Sequence, residues 1–267
     1  MERMDQSLFS LLDSNLTRFI LFSSSPHRDY LVNIIDSPGH VDFSGEVDTA
    51  VRISDGCLLL VDCVEGVSAQ TRTVLRQSWR EKLKPILVLN KIDRLFTEMN
   101  MNATDVWHHL KSLIETINGE VAGLANQQLV LKTELKSGAN DLGGGWTASD
   151  DIILEETNSY FDPGKDNVIF SSAIGGWAFS INDRIDAIIK EFKVGPEQRP
   201  KIEKVLRKTI FGDFYLNRKK KCIERGAIQK NKKSLFVVFI GECFEVLAKR
   251  SRINMTSKNF QDTFGTI

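Results

Sequence analysis

Short apolar runs that do not alternate with polar residues, each followed by an amphipathic stretch, restrict this chain to few folds. Leu58-Leu59-Leu60-Val61 has no polar residue at every second position, so it predicts a strand buried on both faces. Pro85 to Leu89 and Val168 to Phe170 are of the same kind, and Tyr30 to Ile35 reads as a further strand that stops at a Pro-Gly turn. Between these runs the period becomes helical. Phe43, Val47, Ala50 and Val51 recur at helical spacing up to Asp55-Gly56, and Val74, Leu75, Ser78 and Trp79 mark one face opposite Arg72, Arg76, Arg80 and Lys82. Strand and helix in alternation imply parallel strands with right-handed crossovers. The expected class is α/β, a mostly parallel sheet flanked by helices.

Further along, Val106, Leu110, Leu113, Ile114 and Ile117 predict a helix stopped at Asn118-Gly119, with His108 and His109 at its surface or half-buried. Residues 120–165 carry Gln127-Gln128, Gly143-Gly144-Gly145 and Asp150-Asp151, the composition of a long polar insertion. Ile181, Ile185, Ile188, Ile189 and Phe192 predict a helix ended by Gly195-Pro196, and Ile202, Val205, Leu206 and Ile210 another reaching Gly212-Asp213. Arg218 to Lys221 and Lys230 to Lys233 are basic runs flanking an expected hairpin, either a solvated face or a contact for RNA phosphate. Phe236, Phe239, Ile240, Cys243 and Leu247 favour a helix over 235–247. The expected organisation is a divergent segment over 1–28, a main domain over 29–195 with the insertion at about 120–165, its continuation with the basic hairpin over 196–250, and a tail over 251–267.

Composition sets outer bounds. The 267 residues are 42% hydrophobic and 26% charged with zero formal net charge, enough for a core and without a global field toward nucleic acid or membrane. No apolar run approaches membrane-spanning length. Cys57 and Cys63 bracket one strand and, if extended, lie roughly 20 Å apart, too far to bridge. With no C-x-x-C among the four cysteines, reduced thiols in the cytosol are expected.

The chemistry sits at the strand ends, where ligands of parallel α/β sheets collect. Asp36 follows the first strand and heads Asp36-Ser37-Pro38-Gly39-His40. A carboxylate there can hold Mg²⁺ through water, the Gly39 amide can approach a terminal phosphate oxygen, and His40 stands where it could position an attacking water. Asn90-Lys91-Ile92-Asp93 ends a later strand. Guanine presents N1–H and N2–H₂ side by side, and a carboxylate such as Asp93 accepts both, whereas adenine would leave it unpaired at ~1–3 kcal/mol or more. The Lys91 stem can lie along the purine face and Asn90 can tie the loop. Ser172 and the Ala173 N–H, at the end of the last strand, can close on guanine O6.

These motifs, in this order, resemble those of the translational GTPases. Asp36 to His40 matches that family's D-x-P-G-H, and Asn90 to Asp93 and Ser172-Ala173 match its guanine-reading loops. The run from Val41 to Gly66, with Gly176-Trp177-Ala178-Phe179 and Phe211-Gly212-Asp213-Phe214-Tyr215, is similar to the elongation factor 2 branch and nearest its elongation factor-like subfamily. The resemblance implies a P-loop-type GTPase fold, GTP bound at Asp36, Pro38, Gly39, Asn90, Lys91, Asp93, Ser172 and Ala173, Mg²⁺ at Asp36, and His40 as the catalytic, water-positioning residue. It also implies a cytoplasmic factor acting in large-subunit maturation or translation. Its partners would be the RNA and protein of the large ribosomal subunit and the Shwachman–Bodian–Diamond protein. Two departures stand against this. There is no G-x-x-x-x-G-K-[ST] loop, since the chain has no glycine before Gly39, and Thr17, the sole threonine where the switch threonine is expected, stands in a setting that does not match. Losing three charge-assisted phosphate bonds removes roughly 4.5–9 kcal/mol, or about 10³ to 10⁶ in affinity. The sequence therefore reads as an interior piece of a larger protein with an incomplete fold, a GTPase by resemblance, or else a degenerate, non-catalytic domain that binds GTP weakly or not at all.

Overall fold

A computed structural model describes residues 17–25, 28–36, 44–137, 160–191, 195, 197–217, 220, 222–241, 243, 244 and 246. Its centre is a four-stranded sheet in the order β3 (Gly56–Asp62), β4 (Lys84–Asn90), β5 (Val168–Ser172), β6 (Trp177–Ser180). β3, β4 and β5 run parallel and β6 antiparallel. The helices around it are α1 (Ser44–Arg52), α2 (Ala69–Arg80), α3 (Ile92–Thr97), α4 (Ala103–Ser137), α5 (Ile181–Glu191) and α6 (Arg199–Thr209). Ser68 caps α2 by accepting the Thr71 N–H at 3.1 Å, satisfying one of the orphan donors of a helix start.

Register decides what is buried. Leu59, Leu87 and Val168 pair across the sheet, as do Val61, Leu89 and Phe170, and all six are buried on one face. Phe170 meets Phe211, Phe236 and Phe244 at ring distances of 5.9, 5.6 and 6.3 Å. These contacts lock the strand that ends in Ser171 and Ser172. Phe236 and Phe244 come from the helical segment predicted over 235–247, which contains a π-helical turn at Val237–Gly241.

Leu58 and Leu60 depart from the expectation of burial on both faces, being 56% and 59% exposed. Topology supplies the reason. The β3-to-β4 and β4-to-β5 steps advance the same way across the sheet, so right-handed crossovers bring α2 and the α3–α4 segment to one side only. Among the described residues no crossover helix reaches the other face beside β3.

Three further readings change. The strand over Tyr30–Ile35 exists, but as β2 (Arg28–Ile35) of an antiparallel pair with β1 (Thr17–Ser25), forming its own two-stranded sheet. Strands separated by so short a link close on each other locally. The helix expected to stop at Asn118-Gly119 continues as α4 to Ser137. Buried Val121 and Ala125 extend the apolar stripe past Ile117, and Asn118 turns its side chain to the Phe161 backbone, donating to O at 2.9 Å and accepting from N at 2.8 Å. The first part of the 120–165 stretch is therefore helical, while 138–159 lies outside the described residues. Lys220, the one described residue of the first basic run, lies in a turn between β7 (Phe214–Asn217) and β8 (Cys222–Arg225), inside the hairpin rather than beside it. Phe43, Phe192, Leu247 and the tail over 251–267 also fall outside the described residues.

Candidate functional site

Two loops meet at the carboxyl ends of β4 and β5. Asn90 closes β4, and its side-chain Oδ1 accepts from the Lys91 N–H at 2.8 Å, the Ala173 N–H at 3.1 Å and the Ser171 hydroxyl at 3.3 Å. One amide thus ties both loops. Asp93, in the first turn of α3, is 7% exposed. The fully buried Ser172 hydroxyl donates to Asp93 Oδ1 at 2.5 Å and accepts from the Gly175 N–H at 2.9 Å. Gly175 is required there, because a Cβ would lie 2.5 Å from Trp177 Nε1 and 2.9 Å from Ser172 Oγ. Among the described residues Ser172 is the one hydrogen-bond partner of the Asp93 carboxylate, which leaves Oδ2 open to an incoming donor.

Asn90, Lys91, Asp93, Ser172 and Ala173 are therefore brought together. Two of them are used differently from expectation. The Ser172 hydroxyl and the Ala173 N–H, read as donors to a base oxygen, are engaged within the two loops, on Asp93 and Asn90. The Ser172 bond orients a buried carboxylate; the Ala173 bond is longer, exposed, and exchangeable for a ligand oxygen. Asp36 follows β2 and is exposed, and no hydrogen bond or ion pair among the described residues joins it to these loops. Pro38, Gly39 and His40 lie outside the described residues.

Sequence reading missed Asp62, at the end of β3 and in register with Asn90. Its Oδ1 accepts from the Val64 N–H at 2.8 Å, and its Oδ2 pairs with Lys91 Nζ at 2.6 Å. Burial acts to raise this carboxyl, but the Lys91 ammonium and the Val64 and Glu65 amides outweigh it and hold the group below its ordinary value. Lys91 is raised in turn by Asp62. The signal in the sequence is an acid at a strand end beside the Asn-Lys strand, visible only once strand order is known. Cys63, next in line, is no nucleophile: burial, with the charges of Asp62 and Asp93, pushes its thiol far up. His109 is half-buried and bonds the Cys63 carbonyl at 2.6 Å, which fixes the turn after β3.

Among the described residues no group of three or more His, Cys, Asp or Glu side chains converges. A single exposed carboxylate, Asp36, suits Mg²⁺ that arrives with phosphates and keeps most of its water.

The model of the elongation factor Tu GTP-binding domain matches residues 13–211. The chain is 43% identical over 230 residues to a Homo sapiens protein named elongation factor-like GTPase 1, covering 83% of this chain and 20% of the relative. It is 37% identical over 236 residues to ribosome assembly protein 1 of Schizosaccharomyces pombe, covering 88% and 21%. To the Saccharomyces cerevisiae protein of that name it is 42% identical over 221 residues, covering 80% and 19%. The chain spans about a fifth of the length of these relatives.

Proposed function

Because this chain belongs to the family of the elongation factor Tu GTP-binding domain, we propose that the pocket between Asn90–Asp93 and Ser172-Ala173 reads the guanine of GTP. The carrying observation is the buried Asp93 carboxylate, oriented by Ser172 through Oδ1 with Oδ2 open. Guanine N1–H and N2–H₂ donate to it as a pair. Asn90 holds the two loops at a fixed spacing, and the Ala173 N–H turns from Asn90 to guanine O6 when the base enters.

Asp36 would hold Mg²⁺, whose chemistry, when bound with the nucleotide, would be positive charge set against the phosphate tail. Pro38 and Gly39 would contact the terminal phosphate, and His40 would position the attacking water. The names of the relatives, elongation factor-like GTPase and ribosome assembly protein, support a role in ribosome maturation or translation; on our reading that role is in the cytoplasm and on the large subunit. Partners in that role are ribosomal RNA and protein and the Shwachman–Bodian–Diamond protein. Exposed Lys220, Lys230 and Lys232 at the β7–β8 hairpin suit contact with RNA phosphate. Among the described residues no helix is long and apolar enough to cross a membrane.

A second reading has its own observation. The chain has no glycine before Gly39, so its 267 residues hold no G-x-x-x-x-G-K-[ST] cradle for the β- and γ-phosphates. On that ground the chain binds guanine selectively but grips the triphosphate weakly and turns it over little. Binding and hydrolysis of GTP and ATP by this chain with Mg²⁺ test both points. The expected result is guanine preference with turnover near background. Equal binding of ATP would overturn the pocket, and turnover abolished by His40→Ala would overturn the non-catalytic reading.

A further inference from the structure

Lys91 is held at both ends. Its backbone is left-handed, φ 63° and ψ 32°, a conformation uncommon for a residue with a side chain, and its N–H is tied to Asn90 Oδ1 at 2.8 Å. Its ammonium reaches back to the end of β3 and meets Asp62 Oδ2 at 2.6 Å. The Asp62 side chain is 13% exposed, and its other oxygen is fixed by the Val64 N–H at 2.8 Å. Arg94 does not substitute for Lys91: it stands 3.8 Å from Asp62 and its guanidinium is engaged by Glu98 at 2.8 Å.

We infer that Asp62 is a positioning residue for purine recognition, holding the Lys91 stem stretched between β3 and the Asn90 loop as a ready apolar strip for the base. This rests on the guanine pocket proposed above and adds two things to it. A long flexible side chain that must be ordered during binding weakens binding, so a stem ordered beforehand strengthens it. The Lys91 charge is also balanced within the protein, so it serves the nucleoside rather than the phosphates. Asp62 touches neither base nor phosphate and acts through Lys91 alone.

The test compares the 267-residue chain with Asp62→Asn, Lys91→Met and the double variant, using guanosine and adenosine as probes, so that phosphate binding plays no part. Asparagine keeps an oxygen for the Val64 N–H and removes only the charge, so Asp62→Asn retains the turn, and thermal unfolding checks this. Two readouts are taken: guanosine affinity, and the Lys91 ammonium signal in NMR spectra of the free chain. The expected result is loss of that signal in Asp62→Asn and about 3- to 10-fold weaker guanosine binding. In the Lys91→Met background the same substitution should have no further effect. An unchanged ammonium signal, unchanged affinity, or an equal loss in the Lys91→Met background would overturn the role of Asp62. A parent chain that binds guanosine no better than adenosine would instead overturn the pocket itself and this role with it, the ammonium signal then reporting only whether the ion pair forms.

Discussion

At the scale of single residues, the site depends on a buried hydroxyl. Ser172 is fully buried between Asp93 Oδ1 and the Gly175 N–H. Ser172→Ala leaves both unpaired, which costs about 1–3 kcal/mol. Chemical denaturation should show that loss, whereas Ser171→Ala, whose hydroxyl makes two long bonds of 3.3 Å, should cost less. The placement of Asn90, Lys91, Asp93, Ser172 and Ala173 at two strand ends was legible in the sequence, because strand ends are marked locally. How their donors are used was not legible. That Ser172 faces Asp93 depends on the separation of two strands far apart in the chain, as does the ion pair of Asp62 with Lys91.

At the scale of elements, periodicity located α1, α2, α5 and α6 along the chain, and the largest departure has a physical cause. Asn118-Gly119 has the chemistry of a helix end, yet α4 runs through it, because tertiary packing outweighs a propensity penalty of about 1 kcal/mol for glycine. A Cβ at Gly119 would meet nothing within 4 Å. Gly119→Ala should therefore stabilise the chain by up to about 1 kcal/mol, raising its thermal midpoint by about 2–4 °C. A helix that truly stopped there would instead be destabilised. The β7–β8 hairpin carries a pH prediction. Tyr215 donates to Glu224, Asn217 donates to it at 3.1 Å, and Lys220 pairs with it at 3.3 Å, holding its carboxyl down at about 2. A carboxyl lower in the folded state than in the unfolded one stabilises the hairpin above the ordinary glutamate range, and the contribution is lost as pH falls through about 2. Backbone NMR signals of 214–225 should hold constant from neutrality to pH 4 and shift below it. A transition centred near the ordinary glutamate value would remove Glu224 from this role.

At the scale of the whole molecule, composition and topology give different answers about β3, and topology decides. Both faces of Leu58 to Val61 are apolar, but crossovers of one hand and one direction cover a single face. Leu59→Ala should cost about 2–5 kcal/mol as a buried leucine, while Leu58→Thr, on the exposed face, should stay within about 0.5 kcal/mol. Comparable losses at both positions would show that both faces are buried in solution. The parallel order of β3, β4 and β5 was legible from alternation of strand and helix. The separate pairing of β1 with β2 was not, because that strand carries no mark of its neighbour.

The central claim is that the two loops ending β4 and β5 form a pocket for guanine. It is tested most directly by titrating isotopically labelled chain with GDP and with ADP, following the backbone amides of Lys91, Asp93 and Ala173. GDP should shift these amides and ADP should not, and Asp93→Asn should abolish the difference. Equal shifts with both nucleotides, or GDP shifts that survive Asp93→Asn, would contradict it.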